Sequence, residues 1–301
     1  MQKEFNNMHS KKTGWQKSFK WLHRLMVGLF CMLLWQGCFK FRTPDPEAKE
    51  NFAKLNIPLE IKNYPYSSKR IIHYLQTGKE TAPTIYFIHG TPGSWNNFES
   101  YLKDSALRKS YRLISIDRPG FGYSNFGQSE PIELQVEMID KLIRSNGNGQ
   151  PILLVGHSLG GPIVAALGAK ENPSVTTLLI WAGSQSPKLE PKERWRKPLS
   201  SSALRWVVPG AFGPSNDELV DFKKYVLQMP EILGKVRAHV YLVHGTKDMF
   251  VPFENMAWTE EKLNHAPSVK TITLKGENHF IPWTRFNDLR DLLLYIRSNI
   301  E

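Results

Sequence analysis

One short segment, Pro151-Ile-Leu-Leu-Val-Gly-His-Ser-Leu-Gly-Gly161, narrows the possible folds of this chain more than any other. Residues 152–155 are an unbroken apolar run, the pattern of a strand covered on both faces in a parallel sheet. Pro162-Ile-Val-Ala-Ala-Leu continues as a helix, so strand must become helix within a few residues. Gly156 and Gly160 flank Ser158 in a G-x-S-x-G pattern. There the missing side chains permit a strained turn that pushes a hydroxyl into the open. A serine at that tip meets the positive end of a helix and the backbone N–H of Leu159, both suited to an oxyanion. A glycine turn whose serine merely caps the helix satisfies the same five residues, so the meaning of Ser158 depends on the rest of the chain.

A serine hydroxyl is a weak nucleophile at neutral pH and needs a base, itself oriented by a carboxylate. Downstream, Ala238-His-Val-Tyr-Leu-Val-His-Gly-Thr-Lys-Asp248 reads as a short apolar strand, a glycine turn and an acid. An acid just past a strand end sits on the rim where open α/β sheets build sites. A further strand, Val269-Lys-Thr-Ile-Thr-Leu, runs into Lys275-Gly-Glu-Asn-His279 and delivers a histidine to the next loop. Taken singly, Asp248 could be a solvated turn residue and His279 a surface histidine. The order Ser158, Asp248, His279 favours a nucleophile, an orienting acid and a base. A second oxyanion donor is available upstream, where the strand in Pro83-Thr-Ile-Tyr-Phe-Ile-His-Gly-Thr-Pro-Gly93 ends in a loop that can aim the amide of Thr91. Pro92 biases Thr91 toward an extended conformation.

With these motifs in view, the chain resembles the serine-dependent, esterase- and lipase-like members of the α/β-hydrolase superfamily from about residue 60 to its end. The resemblance is carried by His89-Gly90-Thr91-Pro92-Gly93, Asp117-Arg118-Pro119-Gly120-Phe121-Gly122-Tyr123-Ser124, Gly156-His157-Ser158-Leu159-Gly160-Gly161, His244-Gly245-Thr246-Lys247-Asp248 and Asn278-His279-Phe280. It implies Ser158 as nucleophile, His279 as general base and acid, Asp248 as its orienter, and the amides of Thr91 and Leu159 as oxyanion hole. Asp117 and Arg118 are expected to brace the site, His157 to pack beside it, and His89 and His244 to fix loops. A serine at the nucleophile position argues against the carboxylate chemistry of haloalkane dehalogenases and epoxide hydrolases in the same superfamily.

A chain of 301 residues holds one extensive core plus an insertion without disulfides. Its only two cysteines, Cys31 and Cys38, lie in the leader. The catalytic region therefore offers no thiol nucleophile, and the serine chemistry requires no metal or cofactor. The net charge of +11 raises nucleic acid as a partner, but the first 37 residues hold six cations against Glu4 alone. No ladder of basic and aromatic residues suits stacked bases, so nucleic-acid binding is not expected.

The leader joins a basic n-region to the apolar run Leu25-Met-Val-Gly-Leu-Phe-Cys-Met-Leu-Leu-Trp35. Eleven apolar residues fall short of the ~18 to 20 of a spanning helix but suit a signal-peptide core. Gly37-Cys38 resembles a bacterial lipoprotein processing site, although Trp35 stands where an aliphatic residue is usual. Residues 1–38 are read as a signal peptide or membrane anchor with Cys38 as a lipidation candidate, which implies a membrane-anchored place in the bacterial cell envelope. An ordinary N-terminal helix is the alternative. Residues 39–58, rich in proline and charge, read as a tether.

Beyond it, residues 59–66 and 69–76 alternate as an antiparallel hairpin. Strands centre on Tyr86, Leu113, Leu153, Leu179, Tyr241 and Ile272, with helical patterns at 95–107, 130–145, 161–170, 253–264 and 285–299. Such alternation predicts an α/β fold, a mostly parallel, doubly wound sheet of about eight strands. The hydrolase core would comprise residues 59–184 and 236–301, interrupted by a helical cap at 185–235. Trp206, Val207, Val208, Phe212 and Phe222 are candidates for an apolar pocket wall. The leading expectation is hydrolysis of a carboxylic ester of small to medium apolar acyl groups through an acyl-enzyme. A carbon–carbon bond hydrolase or an aminopeptidase with the same three residues is the alternative, with Glu190, Glu193, Asp217 and Glu218 available to hold an amine. A non-catalytic envelope binding protein on the same fold is the alternative from another class.

Overall fold

The computed structural model describes residues 19–32, 34, 37 and 39–299. Eight strands form a single sheet: β1 (Glu60–Pro65), β2 (Ile71–Gly78), β3 (Thr84–Ile88), β4 (Arg112–Ile116), β5 (Ile152–His157), β6 (Val175–Trp181), β7 (His239–Gly245) and β8 (Val269–Leu274). Their order is β1-β2-β4-β3-β5-β6-β7-β8. β1 and β2 pair antiparallel, β2 pairs antiparallel with β4, and every other pair is parallel. The fold is therefore the expected mostly parallel α/β sheet with an antiparallel edge.

Every residue of β3, β4 and β5 is buried, which explains their unbroken apolar runs. Successive side chains point to opposite faces, so the same strands feed two cores. Tyr86, Ile88 and Leu154 pack on one side with helices Ile132–Ser145 and Gly160–Gly168. Ile85, Phe87, Leu153 and Val155 pack on the other with Trp95, Phe98, Tyr101 and helix Phe286–Ser298.

Two segments differ from the sequence reading. The helix expected over 95–107 is broken into a 3-10 turn Trp95–Phe98 and helices Glu99–Lys103 and Ser105–Ser110. Asp104 causes the break: it adopts an extended backbone and its carboxylate accepts the N–H of Leu107 at 2.8 Å, starting a new helix. Within the expected tether, residues Asp45–Ala53 form a helix with Asp45 and Glu47 in its first turn. Ala48 and Phe52, one turn apart, are fully buried. Of the leader, Cys31 is exposed and Cys38 lies outside the described residues. No helix among the described residues is long and apolar enough to cross a membrane.

Between β6 and β7 the described chain adds no strand to the sheet. It forms helices Arg196–Leu199, Phe212–Tyr225 and Met229–Gly234 with two 3-10 turns. Phe222, Tyr225, Met229 and Leu233 join the core on the face of helix Ile132–Ser145. The polar anchor is Glu218, fully buried against Arg118. Arg118 Nη1 and Nη2 each donate to one carboxylate oxygen at 2.8 Å. Its remaining N–H groups reach Gln135 Oε1, His89 O and Gly90 O at 2.8 to 2.9 Å. A buried ion pair is tolerable only when satisfied in this way, and removing one partner strands the other charge. Glu218→Ala should lower unfolding free energy by about 3 to 5 kcal/mol, read from urea midpoints. Replacing both Arg118 and Glu218 by Met should cost less than the single change; a double variant no better than Glu218→Ala would refute the stranded-charge account.

A second buried bridge ties helix Asp45–Ala53 to the sheet. His73, 1% exposed, places Nδ1 at 2.8 Å from Asp117 and Nε2 at 3.2 Å from Asp45. The contact with Asp117 is a hydrogen bond, whereas Asp45 faces Nε2 only as a nearby charge; two carboxylates beside one ring favour its doubly protonated form. Burial alone would depress the His73 pKa, but the hydrogen bond and charge of Asp117, aided by Asp45, raise it above the ordinary 6.5. The stabilisation is then complete below about pH 6.5 and is lost as pH climbs through the raised value. His73→Gln should flatten the alkaline decline of the urea midpoint, measured from pH 6 to 9. An unchanged slope would remove His73 as its source.

Candidate active site

β5 ends at His157, and the next residue, Ser158, has φ +56°, the left-handed region that costs a non-glycine residue about 1 to 2 kcal/mol. The chain then enters helix Gly160–Gly168 through Leu159. The turn is held by its own backbone: Ser158 N–H donates to Trp181 O and Gly161 N–H donates to Ser158 O, each at 2.9 Å. Ser158 is half-buried between neighbours that are buried.

Asp248 lies in the loop after β7. Its Oδ1 accepts the N–H groups of Phe250 and Val251 at 2.9 Å. Its Oδ2 receives His279 Nδ1 at 2.7 Å and His244 Nε2 at 3.2 Å. Burial alone would raise the Asp248 pKa, but the hydrogen bonds from His244 and His279 overcome it and hold the carboxyl well below its usual range. His279 comes from the loop after β8. Because Asp248 takes the proton on Nδ1, the neutral ring presents Nε2 as its acceptor. The His279 carbonyl is itself fixed at 2.9 Å by His157 Nε2. Burial, reinforced by the neighbouring His279, lowers the His157 pKa to about 3, so this ring stays neutral and serves as a donor.

Ser158 and His279 line one cavity of about 480 Å³, together with Thr91 and Leu159. The loop bearing Thr91 lies directly against the serine: a Cβ on Gly90 would approach Ser158 Cβ to 2.8 Å, so only glycine allows this approach. Arg118 sets that loop by holding His89 O and Gly90 O. His89 donates from Nδ1 to Gly90 O at 2.7 Å and accepts Arg118 N–H at Nε2. Burial and the charge of Arg118 keep its pKa well below the ordinary value. Asp117 braces the same region by accepting Trp95 N–H and Tyr123 N–H at 2.7 and 2.8 Å.

The four acids considered for an amine separate clearly. Glu218 is consumed by Arg118, and Asp217 pairs with Arg205. Glu190 and Glu193 line the cavity, with Glu193 held by Arg196. Glu190 accepts the Ser184 hydroxyl at 2.9 Å, and its pKa is raised by burial. Of the residues expected in an apolar wall, Phe212 and Phe222 line the cavity and Trp206, Val207 and Val208 do not. Phe250, Phe280 and Trp283 complete an aromatic side around His279. Phe280 could have been suspected from its place beside His279, but Phe41, also in the wall, carries no signal in the sequence.

A family model described as the alpha/beta hydrolase fold matches residues 83–206. A bifunctional esterase/perhydrolase of Acinetobacter calcoaceticus is 26% identical over 271 residues, covering 75% of this chain and 96% of that protein. A proline iminopeptidase of Pestalotiopsis fici is 24% identical over 273 residues, covering 76% and 95%. Among solved structures, a 2-hydroxy-6-oxo-6-phenylhexa-2,4-dienoate hydrolase from Rhodococcus superposes with a TM-score of 0.65 at 17% identity, covering 81% of this chain and 100% of that one. Sheet order, the serine turn after β5 and these similarities together lead to one assignment: the chain has the α/β-hydrolase fold, and its residues 83–206 match the model of that family.

Proposed function

We propose that the protein is a serine hydrolase that cleaves carboxylic esters of small to medium apolar acyl groups through an acyl-enzyme. The observation that supports this reading most is the Asp248–His279 hydrogen bond of 2.7 Å beside a cavity that also holds the left-handed Ser158. In this mechanism His279 Nε2 takes the Ser158 proton as Oγ attacks the ester carbonyl. Asp248, kept ionised, stabilises the imidazolium, and the amides of Thr91 and Leu159 receive the developing oxyanion. His279 then protonates the leaving alcohol. Water, activated by the same ring, releases the acid. The helical segment between β6 and β7 acts as the cap, its Phe212 and Phe222 joining Phe250, Phe280 and Trp283 in an apolar environment for the acyl chain. The esterase/perhydrolase similarity agrees with ester substrates.

An aminopeptidase reading rests on Glu190, a cavity carboxyl that could meet a substrate amine, and on the similarity to a proline iminopeptidase. Parallel assays on p-nitrophenyl butyrate and proline p-nitroanilide separate the two, with ester turnover expected to dominate.

A fluorophosphonate should label the protein at Ser158, and Ser158→Ala should lose both labelling and about 10⁴-fold or more in ester turnover. Asp248→Asn should lower kcat by about 10⁴-fold while labelling persists at a reduced rate. Full turnover in Ser158→Ala ends the proposal. For residues 1–38 we propose attachment to a bacterial envelope membrane through the apolar leader or a lipidated Cys38. A fatty-acid probe fed to cells should label the protein and leave Cys38→Ala unlabelled; label that survives the substitution excludes lipidation there.

A further inference from the structure

Residues 39–43 have no place in the sheet, yet they run as a strap across the helical segment that covers the cavity. The carbonyl of Phe39 accepts the Ala211 N–H at 2.7 Å, just before helix Phe212–Tyr225. Gly210 makes room for that contact. It has φ +48°, and a Cβ there would stand 2.3 Å from Phe39 O. The rings continue the fastening: Phe39 lies 5.8 Å from Phe212, and Phe41 meets Phe212 edge-on at 5.3 Å. The other end is tied to the core. Arg42 Nη1 donates to Gly122 O at 2.9 Å while its guanidinium lies 4.5 Å over Tyr123 and 4.9 Å over Phe126. Asn96 Nδ2 donates to Thr43 Oγ1 at 3.0 Å.

Between these two anchors Phe41 has φ +47°, a conformation that a bulky aromatic residue adopts only when its surroundings enforce it. The outcome of that enforcement is a ring in the wall of the cavity that holds Ser158 and His279. Residues held in a left-handed backbone conformation cluster where geometry matters to function. Here the geometry delivers apolar surface to the cavity from a segment outside the hydrolase core.

We propose that Phe41 is a specificity-determining residue: with Phe212 it closes the cap side of the cavity and limits the length of the apolar group that fits beside Ser158. The inference rests on the serine-hydrolase reading given above and adds to it the part of the chain that sets substrate size. Removing the ring opens the wall without touching Ser158, Asp248, His279 or the oxyanion amides. A single methylene in an apolar pocket is worth about 10- to 200-fold in discrimination, so the effect is measurable.

The test is the acyl-length profile of the full chain on p-nitrophenyl esters from acetate to decanoate. Phe41→Ala should raise the ratio of kcat/KM for decanoate over butyrate about tenfold, chiefly through a lower KM for the long ester. Gly210→Ala, which displaces the Phe39 carbonyl from outside the cavity, should shift the profile in the same direction. Phe41→Leu, which keeps apolar bulk, should stay near the parent profile and supplies a folded reference should the alanine variant be unstable. If Ser158 is labelled by fluorophosphonate in all variants but the ratio is unchanged, or all esters fall in proportion, the strap is only a brace and the inference is overturned while the hydrolase reading stands. If the parent protein neither takes the label nor turns over any ester, the reading itself fails and the inference with it.

Discussion

The Arg118 side chain is the constraint on which the most other geometry depends. It sits with no solvent exposure at the end of β4 and spends its N–H groups on three separate parts of the chain: the carbonyls of His89 and Gly90, Gln135 of helix Ile132–Ser145, and Glu218 of helix Phe212–Tyr225. A guanidinium suits this task because its donors lie in a rigid planar fork and cannot be deprotonated. The loop that offers the Thr91 amide and the helix that covers the cavity are thereby positioned by the same charge. Placing a full charge there carries a large desolvation penalty, which the complete set of partners offsets.

Around the serine, electrostatics is divided by burial and hydrogen bonding. Asp248 keeps its charge because four donors converge on two oxygens. His89 and His157 are driven to the neutral form chiefly by burial, reinforced by Arg118 beside His89 and by His279 beside His157, so each is fixed as one donor in a network. His73 is the opposite case, with carboxylates on both ring nitrogens and a raised pKa. Three histidines in one domain thus have their protonation set by which partners survive burial.

The sheet was legible in the sequence because strands buried on both faces leave uninterrupted apolar runs, as in 84–88 and 152–155, and because each run is followed by glycine and then by a helical period. The expectation for Ser158, Asp248 and His279 rested on a related reason, that each lies in the turn or loop after a strand end. The structure brings Asp248 and His279 into contact and opens Ser158 and His279 onto a shared cavity. What sequence could not show depends on tertiary partners. The cap at Asp104 interrupts a pattern that reads as one helix, and helix Asp45–Ala53 is short and polar except for the Ala48 and Phe52 pair it buries. The division of the four cap acids, with Glu218 buried against Arg118 and Glu190 beside the cavity, is equally invisible in composition.

The contact between Phe39 and Ala211 bears on how the molecule divides into parts. A reader of domain boundaries would separate a tether from the folded body and treat the junction as neutral ground. Instead, a backbone hydrogen bond and a set of tilted and edge-on rings make that junction a piece of the cavity wall. Replacing residues 39–43, or trimming the chain to the start of helix Asp45–Ala53, would therefore yield a body with a differently shaped interior, even with every residue of the sheet intact.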